Sequence, residues 1–146
     1  MQQADTKATE KIFITVAVSI DAPVEKIWNY FTAPEHIIQW CQASDDWHAP
    51  RATNDIRTGG KFTTRMEAKD GSMGFDFEGI YTNVRQHETI EYAMEDGRNV
   101  KVDFVKDGDA YKVIESFEAE TVNSPELQKS GWQAILDNFK KYVESN

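Results

Sequence analysis

Residues 12–20 alternate with period two: Ile12, Ile14, Val16, Val18 and Ile20 stand against Phe13, Thr15, Ala17 and Ser19. That period in β-branched residues predicts a strand with one strongly apolar face. Asp21-Ala22-Pro23 breaks it, and the spacing changes. Val24, Ile27, Trp28 and Phe31 fall at i, i+3, i+4 and i+7, a short amphipathic helix with Pro23 at its first position. Thr32-Ala33-Pro34-Glu35 repeats the start signal, and Ile37, Ile38 and Trp40 ride a second short helix. Residues 41–59 show no clear period, which is unusual inside a compact domain. A short edge strand is expected around residues 47–51, bordered by Pro50.

From Gly60 onward alternation returns. Phe62, Thr64 and Met66 share one face, as do Phe75, Phe77, Gly79 and Tyr81. Ile90, Tyr92 and Met94 follow, then Val100, Val102 and Phe104, then Tyr111, Val113, Glu115 and Phe117. Asp70-Gly71, Asp96-Gly97 and Asp107-Gly108 separate these runs. Asp-Gly between alternating runs is a strong hairpin signal because both residues tolerate positive φ, so the runs form an antiparallel meander. The last segment is helical. Asn123-Ser124-Pro125-Glu126 supplies a cap, a first-turn proline and a first-turn acid. Trp132, Leu136, Phe139 and Val143 form its apolar stripe, widened by Leu127, Ile135 and Tyr142. Gly131 interrupts the helix, either as a tolerated defect or to allow close approach of a strand. The fold class is therefore α+β. A one-sided twisted sheet must cover its apolar face, and only the last helix is long enough to do so. The sheet curls around it, a helix-grip arrangement, with either packed core or a cavity between them.

The chain has 146 residues, which fits one domain, expected over residues 11–146 after a flexible segment at 1–10. Lys and Arg number 16 against 25 Asp and Glu, a net charge of -9. That balance argues against nucleic acid and against an anionic membrane surface. The longest apolar stretch, residues 12–20, is far shorter than a membrane span, and no secretory signal is visible. With Cys41 as the one cysteine, a reducing cytoplasm is the expected location.

Candidate chemistry is sparse. His36, His48, His87 and Cys41 show no metal-ligand spacing, so no metal or other cofactor is expected. Ser72 sits in a hairpin turn rather than a nucleophile elbow, and Gly59-Gly60 lacks the rest of a phosphate loop. Glu115 is different. It shares the alternation face of Val113 and Phe117, which points a carboxylate into an apolar interior. Arg65, Tyr92 and Trp132 are its conceivable partners, and desolvation would raise its pKa without one. Asp45-Asp46-Trp47-His48 is a second candidate, with an imidazole suited to acid–base work.

In order along the chain, AP-VEKIW-NYFT-APEHIIQW, RTGGKF, FDFEGIY, IEY and GWQAILDNFKKYVE resemble the activator of heat shock protein 90 ATPase homologue family. That family belongs to the START-like, or birch-pollen-allergen-like, helix-grip superfamily. The resemblance spans about residues 11–144. It implies a curved antiparallel sheet gripping a C-terminal helix, two short helices after the first strand, and use of the sheet–helix gap for ligands. The leading expectation is non-enzymatic binding of a small hydrophobic or amphipathic ligand, such as a lipid. Trp40 and Trp47 would stand near the mouth. Phe62, Phe75, Phe77, Tyr92 and Phe104 would line the sheet side. Phe117, Trp132 and Leu136 would close the cavity, and Glu115 would be its polar anchor. The alternatives are a cyclase or hydratase using Glu115 or His48 as acid–base group, and a module that contacts a chaperone. A monomer or weak dimer is expected.

Overall fold

The computed structural model describes residues 11–146; the flexible segment expected at 1–10 lies outside them. The period-two runs become strands. β1 is Phe13–Ile20, β2 Trp47–Asn54, β3 Lys61–Ala68, β4 Gly74–Arg85, β5 Thr89–Met94, β6 Asn99–Asp107 and β7 Ala110–Glu118. They form one seven-stranded sheet in the order β1-β7-β6-β5-β4-β3-β2, with every neighbouring pair antiparallel. The chain thus places its first two strands at opposite edges and builds the middle by hairpins. Gly71, Gly97 and Gly108 all take positive φ in those turns, which is the conformation the Asp-Gly signals require.

β2 is the edge strand anticipated from residues 47–51, and it runs three residues further. Its register shifts between His48 and Arg51, at Pro50. A proline cannot donate to the ladder, so it sits at an edge or a bulge, and here it has both. β4 carries another register shift between Tyr81 and Asn83. Such irregularities bend a strand and raise its twist, and they help curl the sheet into a half-barrel.

Three helices cover the concave side: α1 Val24–Thr32, α2 Pro34–Trp40 and α3 Pro125–Ser145. Ala33 is extended and is at once the C-cap of α1 and the N-cap of α2. The residue before a proline is pushed out of the helical region, so Pro34 makes this hinge. Pro23 sits one place earlier than anticipated, as the cap of α1 rather than its first helical residue. Ser124 caps α3 by accepting from the Leu127 backbone N–H at 3.1 Å.

The C-terminal half of α3 is fixed to β1. Lys140 donates to the Ser19 carbonyl at 2.6 Å, and the Asp21 backbone N–H donates to Glu144 at 2.9 Å. Leu136, Phe139 and Val143 are fully buried there, with Phe139 against Trp40 and Phe31. His36 bonds the Tyr142 hydroxyl at 2.7 Å and stacks on Tyr30, and Asn138 donates to the Trp40 carbonyl at 2.9 Å. These contacts tie α1, α2 and the end of α3 into one packed layer. The N-terminal half of α3 has no such layer beneath it. Among the described residues, no helix is long and apolar enough to cross a membrane.

Candidate ligand cavity

Beneath the N-terminal half of α3 lies a cavity of about 560 Å³. That lies within the roughly 300–1,000 Å³ of small-molecule sites. Every second residue of a strand faces the same side, so the inward positions of β3, β4, β5 and β7 make its floor and walls. Phe62, Thr64 and Met66 come from β3, Phe77 and Tyr81 from β4, and Ile90, Tyr92 and Met94 from β5. α2 adds Ile37 and Trp40, and Cys41 follows it. α3 forms the roof with Gln128, Gly131, Trp132 and Ile135. The mouth lies where Trp47, Ser44, Phe75 and Leu127 meet. Phe75 is 49% exposed and Leu127 60%.

The aromatic rings form a continuous wall. Phe62 sits 4.8 Å from Tyr92, 5.3 Å from Tyr81 and 5.5 Å from Phe77, centre to centre. Phe77 reaches Trp132 at 6.2 Å, edge to face. Gly79 makes room for Phe62: a Cβ there would lie 2.9 Å from its ring and 2.6 Å from the Ala93 carbonyl. Trp132 stacks on Phe117 at 4.0 Å, so its ring stands between Phe117 and the cavity.

Gly131 lines the roof, and a Cβ built on it would meet nothing within 4 Å. The close strand approach anticipated there is absent. The glycine leaves open space under the helix instead.

Glu115 is the polar group of the interior. It is 8% exposed, lies in the cavity wall, and is paired across the sheet with Val16 and Val102. Among the described residues it makes no hydrogen bond and no ion pair. Arg65, an anticipated partner, points outward and is held by Glu67 at 2.8 Å and Asp76 at 3.4 Å. Burial pushes the Glu115 carboxyl up to about 8, so it is mostly uncharged at neutral pH. Burial also raises the Cys41 thiol to about 12 and the Tyr92 and Tyr81 phenols above their ordinary range. The Tyr81 hydroxyl donates to Asn54. Arg98 also lines the cavity, but Asp96 holds its Nε at 2.7 Å and the Glu118 carbonyl takes an Nη1 hydrogen at 3.3 Å.

Of the residues expected around a ligand, Trp40, Trp47, Phe62, Phe75, Phe77, Tyr92, Glu115 and Trp132 line this cavity. Phe104, Phe117 and Leu136 do not. Phe104 is buried against Trp28 and Phe31 under the α1–α2 layer, Phe117 is sealed behind Trp132, and Leu136 is buried one turn beyond the roof. All three share the inward face. Phe104 and Leu136 lie where the helical layer fills the sheet's concavity, and Phe117 is covered by the Trp132 ring itself. His48 stands outside as well, with Nε2 3.9 Å from Glu67. Alternation along β2 turns Trp47 inward and its neighbour outward, so His48 does not face Glu115 across the cavity. Thr64, Met66, Ile90 and Met94 also line the cavity, on the same alternating faces as the aromatic residues. Gln128 carried no signal. It donates to the Glu120 and Asn123 carbonyls and accepts from the Glu120 N–H, which holds the β7–α3 loop at the cavity's edge.

A second depression, of about 580 Å³, lies across β4, β5 and β6 and is bordered by Arg85, Glu88, Glu91, Lys101, Asp103 and Lys106. Its charged border makes it a solvated groove, not an apolar site. Among the described residues, no group of His, Cys, Asp and Glu is placed to hold a metal ion.

A curled antiparallel sheet holding a long C-terminal helix, with a cavity between them, defines a helix-grip protein. The sequence model of the family described as "Activator of Hsp90 ATPase homolog 1-like protein" matches residues 21–144, and the chain belongs to that family. The solved structure of the AHSA1-like protein from Aeromonas hydrophila is 42% identical, with a TM-score of 0.86 over 92% of this chain and 93% of that one. A solved Cytophaga hutchinsonii protein is 51% identical, with a TM-score of 0.77 over 93% of each chain. A Chromobacterium violaceum protein, 20% identical, shares the fold at a TM-score of 0.81 over 92% of this chain and 99% of that one. A comparison with curated proteins found no match.

Proposed function

We propose that the chain binds a small hydrophobic or amphipathic molecule, without chemistry, in the cavity between the sheet and α3. The observation that carries this reading is an aromatic-walled space of about 560 Å³ whose interior carboxyl has no hydrogen-bond or ion-pair partner among the described residues. A packed core would have closed that space, since protein interiors tolerate few voids larger than a water. The acid–base reading has less support: His48, its other candidate group, lies beside Glu67 and outside the cavity, and burial keeps Cys41, Tyr81 and Tyr92 from serving as bases. The family's description points instead to a chaperone. However, of the exposed apolar side chains, Phe13, Val105 and Ile80 stand on β1, β6 and β4, with a strand between neighbours in the sheet order, and Phe75 and Leu127 border the cavity. Apolar residues scattered singly in this way do not make a docking patch.

The reading places the protein, with its free buried Cys41, in a reducing compartment as a monomer or weak dimer. Native mass spectrometry of protein purified from its own host should show a co-purified small molecule. An apolar panel should quench Trp132 and Trp40 fluorescence and raise the melting temperature by mass action. If nothing co-purifies and no member of the panel moves the melt, the binding reading fails and the chaperone reading takes its place.

A further inference from the structure

β7 carries two carboxylates that are equally withdrawn from water, and the fold treats them in opposite ways. Glu118, 8% exposed, accepts from the Asn99 backbone N–H at 2.9 Å and from the Asn99 side chain at 3.1 Å, and lies 3.8 Å from Lys11. Glu115, also 8% exposed, accepts no hydrogen bond among the described residues. An unpartnered carboxyl in an apolar site is unfavourable unless something else completes it. Here the space in front of it is the cavity, which has room for a ligand atom to supply the partner.

The walls say which kind of atom. Phe62, Phe77, Tyr92 and Trp132 present ring faces and edges around the space that Glu115 borders. Ring faces attract cations and repel anions. The cationic side chain of the cavity, Arg98, gives Nε to Asp96 and Nη1 to the Glu118 carbonyl, and its Nη2 lies 3.9 Å from the Met94 sulfur. An anionic ligand would find no opposite charge in Glu115 and would set its own charge against the ring faces. Thr64 and Tyr92 add hydroxyl oxygens that make no side-chain hydrogen bond among the described residues, and both face the cavity. The net charge of -9 raises the concentration of cations around the protein and lowers that of anions.

Resting on the reading that this cavity binds a ligand, we infer that its ligand is an amphipathic amine, with its ammonium group seated on Glu115 and its apolar body against the aromatic wall. An ammonium supplies the charge-assisted hydrogen bonds that the protein withholds. The seat is uncharged before binding at neutral pH, because burial holds the Glu115 proton to about 8. Of the other titratable groups around the cavity, Cys41 at the end of α2, Tyr81 on β4 and Tyr92 on β5 stay neutral, Arg98 is paired with Asp96, and the Glu120 carboxylate on the β7–α3 loop already accepts from the Val122 and Asn123 backbone N–H groups and the Asn123 side chain; α3 contributes Gln128 but no charge. Binding of the ammonium therefore ionises Glu115 and releases its proton to solvent.

The test uses three probes of equal chain length: decylamine, decanol and decanoate. Each is titrated calorimetrically into the full chain at pH 6.5, in two buffers of different ionisation enthalpy. The amine should bind at least tenfold more tightly than the alcohol and a hundredfold more tightly than the carboxylate, with close to one proton released per amine. Glu115→Gln should remove the proton release and the amine preference, and leave decanol within threefold. Gly131→Phe, which fills the space under α3, should abolish all three. Equal binding of the three probes, tighter binding of decanoate, or an amine preference that survives Glu115→Gln would overturn the amine assignment while the cavity reading stands. Failure of every probe to bind the unmodified chain would overturn both.

Discussion

Glu115 should make the stability of this protein fall as pH rises through the neutral range. In the folded chain its carboxyl keeps its proton to about 8, against an ordinary value of 4.5. Between those two values the folded state binds a proton that the unfolded state has released. Stability therefore decreases with pH across that window and is unaffected by this group below it or above it. At about 1.4 kcal/mol per pKa unit, the full change is on the order of 4–5 kcal/mol. That is a large share of the roughly 5–15 kcal/mol of a typical domain. Other groups titrate too, so the quantity to read is the difference between the natural chain and Glu115→Gln, which keeps the volume and loses the proton. Urea unfolding followed by tryptophan fluorescence at pH 5, 6, 7, 8 and 9 gives that difference directly. The natural chain should lose ground steadily against the variant up to about pH 8 and then level off. A difference that stays flat within about 0.5 kcal/mol would mean that the carboxyl ionises in the folded state as it does in water. The argument from burial would then be wrong.

Gly131→Ala should stabilise the protein by up to about 1 kcal/mol, because a helical glycine is replaced and the new methyl meets no atom; a lower urea midpoint would contradict the open space under α3. Phe139→Ala should cost about 3–5 kcal/mol, since its ring is fully buried against Trp40 and Phe31, whereas Trp132→Ala, with one face already on the cavity, should fall at or below the low end of that range. Equal losses at the two sites in the same unfolding assay would show that the cavity is not beneath Trp132. Cys41, buried and with its thiol raised to about 12, should stay unmodified by an aromatic disulfide reagent at pH 8 until urea unfolds the chain. Rapid labelling of the native protein would place the thiol in solvent.

The order and type of the elements were legible in the sequence because their signals are local. Period two marked Ile14 to Ile20 and the later strands, positive-φ Asp-Gly pairs marked the hairpins, and Ser124-Pro125 marked the start of α3. The inward direction of Glu115 was legible for the same reason, since alternation along β7 fixes the face of every residue once Val113 and Phe117 are inside. What alternation cannot convey is depth, that is, whether an inward side chain meets a neighbour or a void. Phe104, Phe117 and Phe77 share one sheet face, yet the first two are core and the third borders the cavity. The difference comes from bonds between residues more than a hundred positions apart. Lys140 to the Ser19 carbonyl and His36 to Tyr142 draw the C-terminal half of α3 onto β1 and α2. The N-terminal half, carrying Gly131 where a larger side chain would have filled the gap, is left spanning the curled sheet. Sequence periodicity determined which residues face inward. The position of one helix, set by contacts that no local pattern encodes, decided which of them enclose a space.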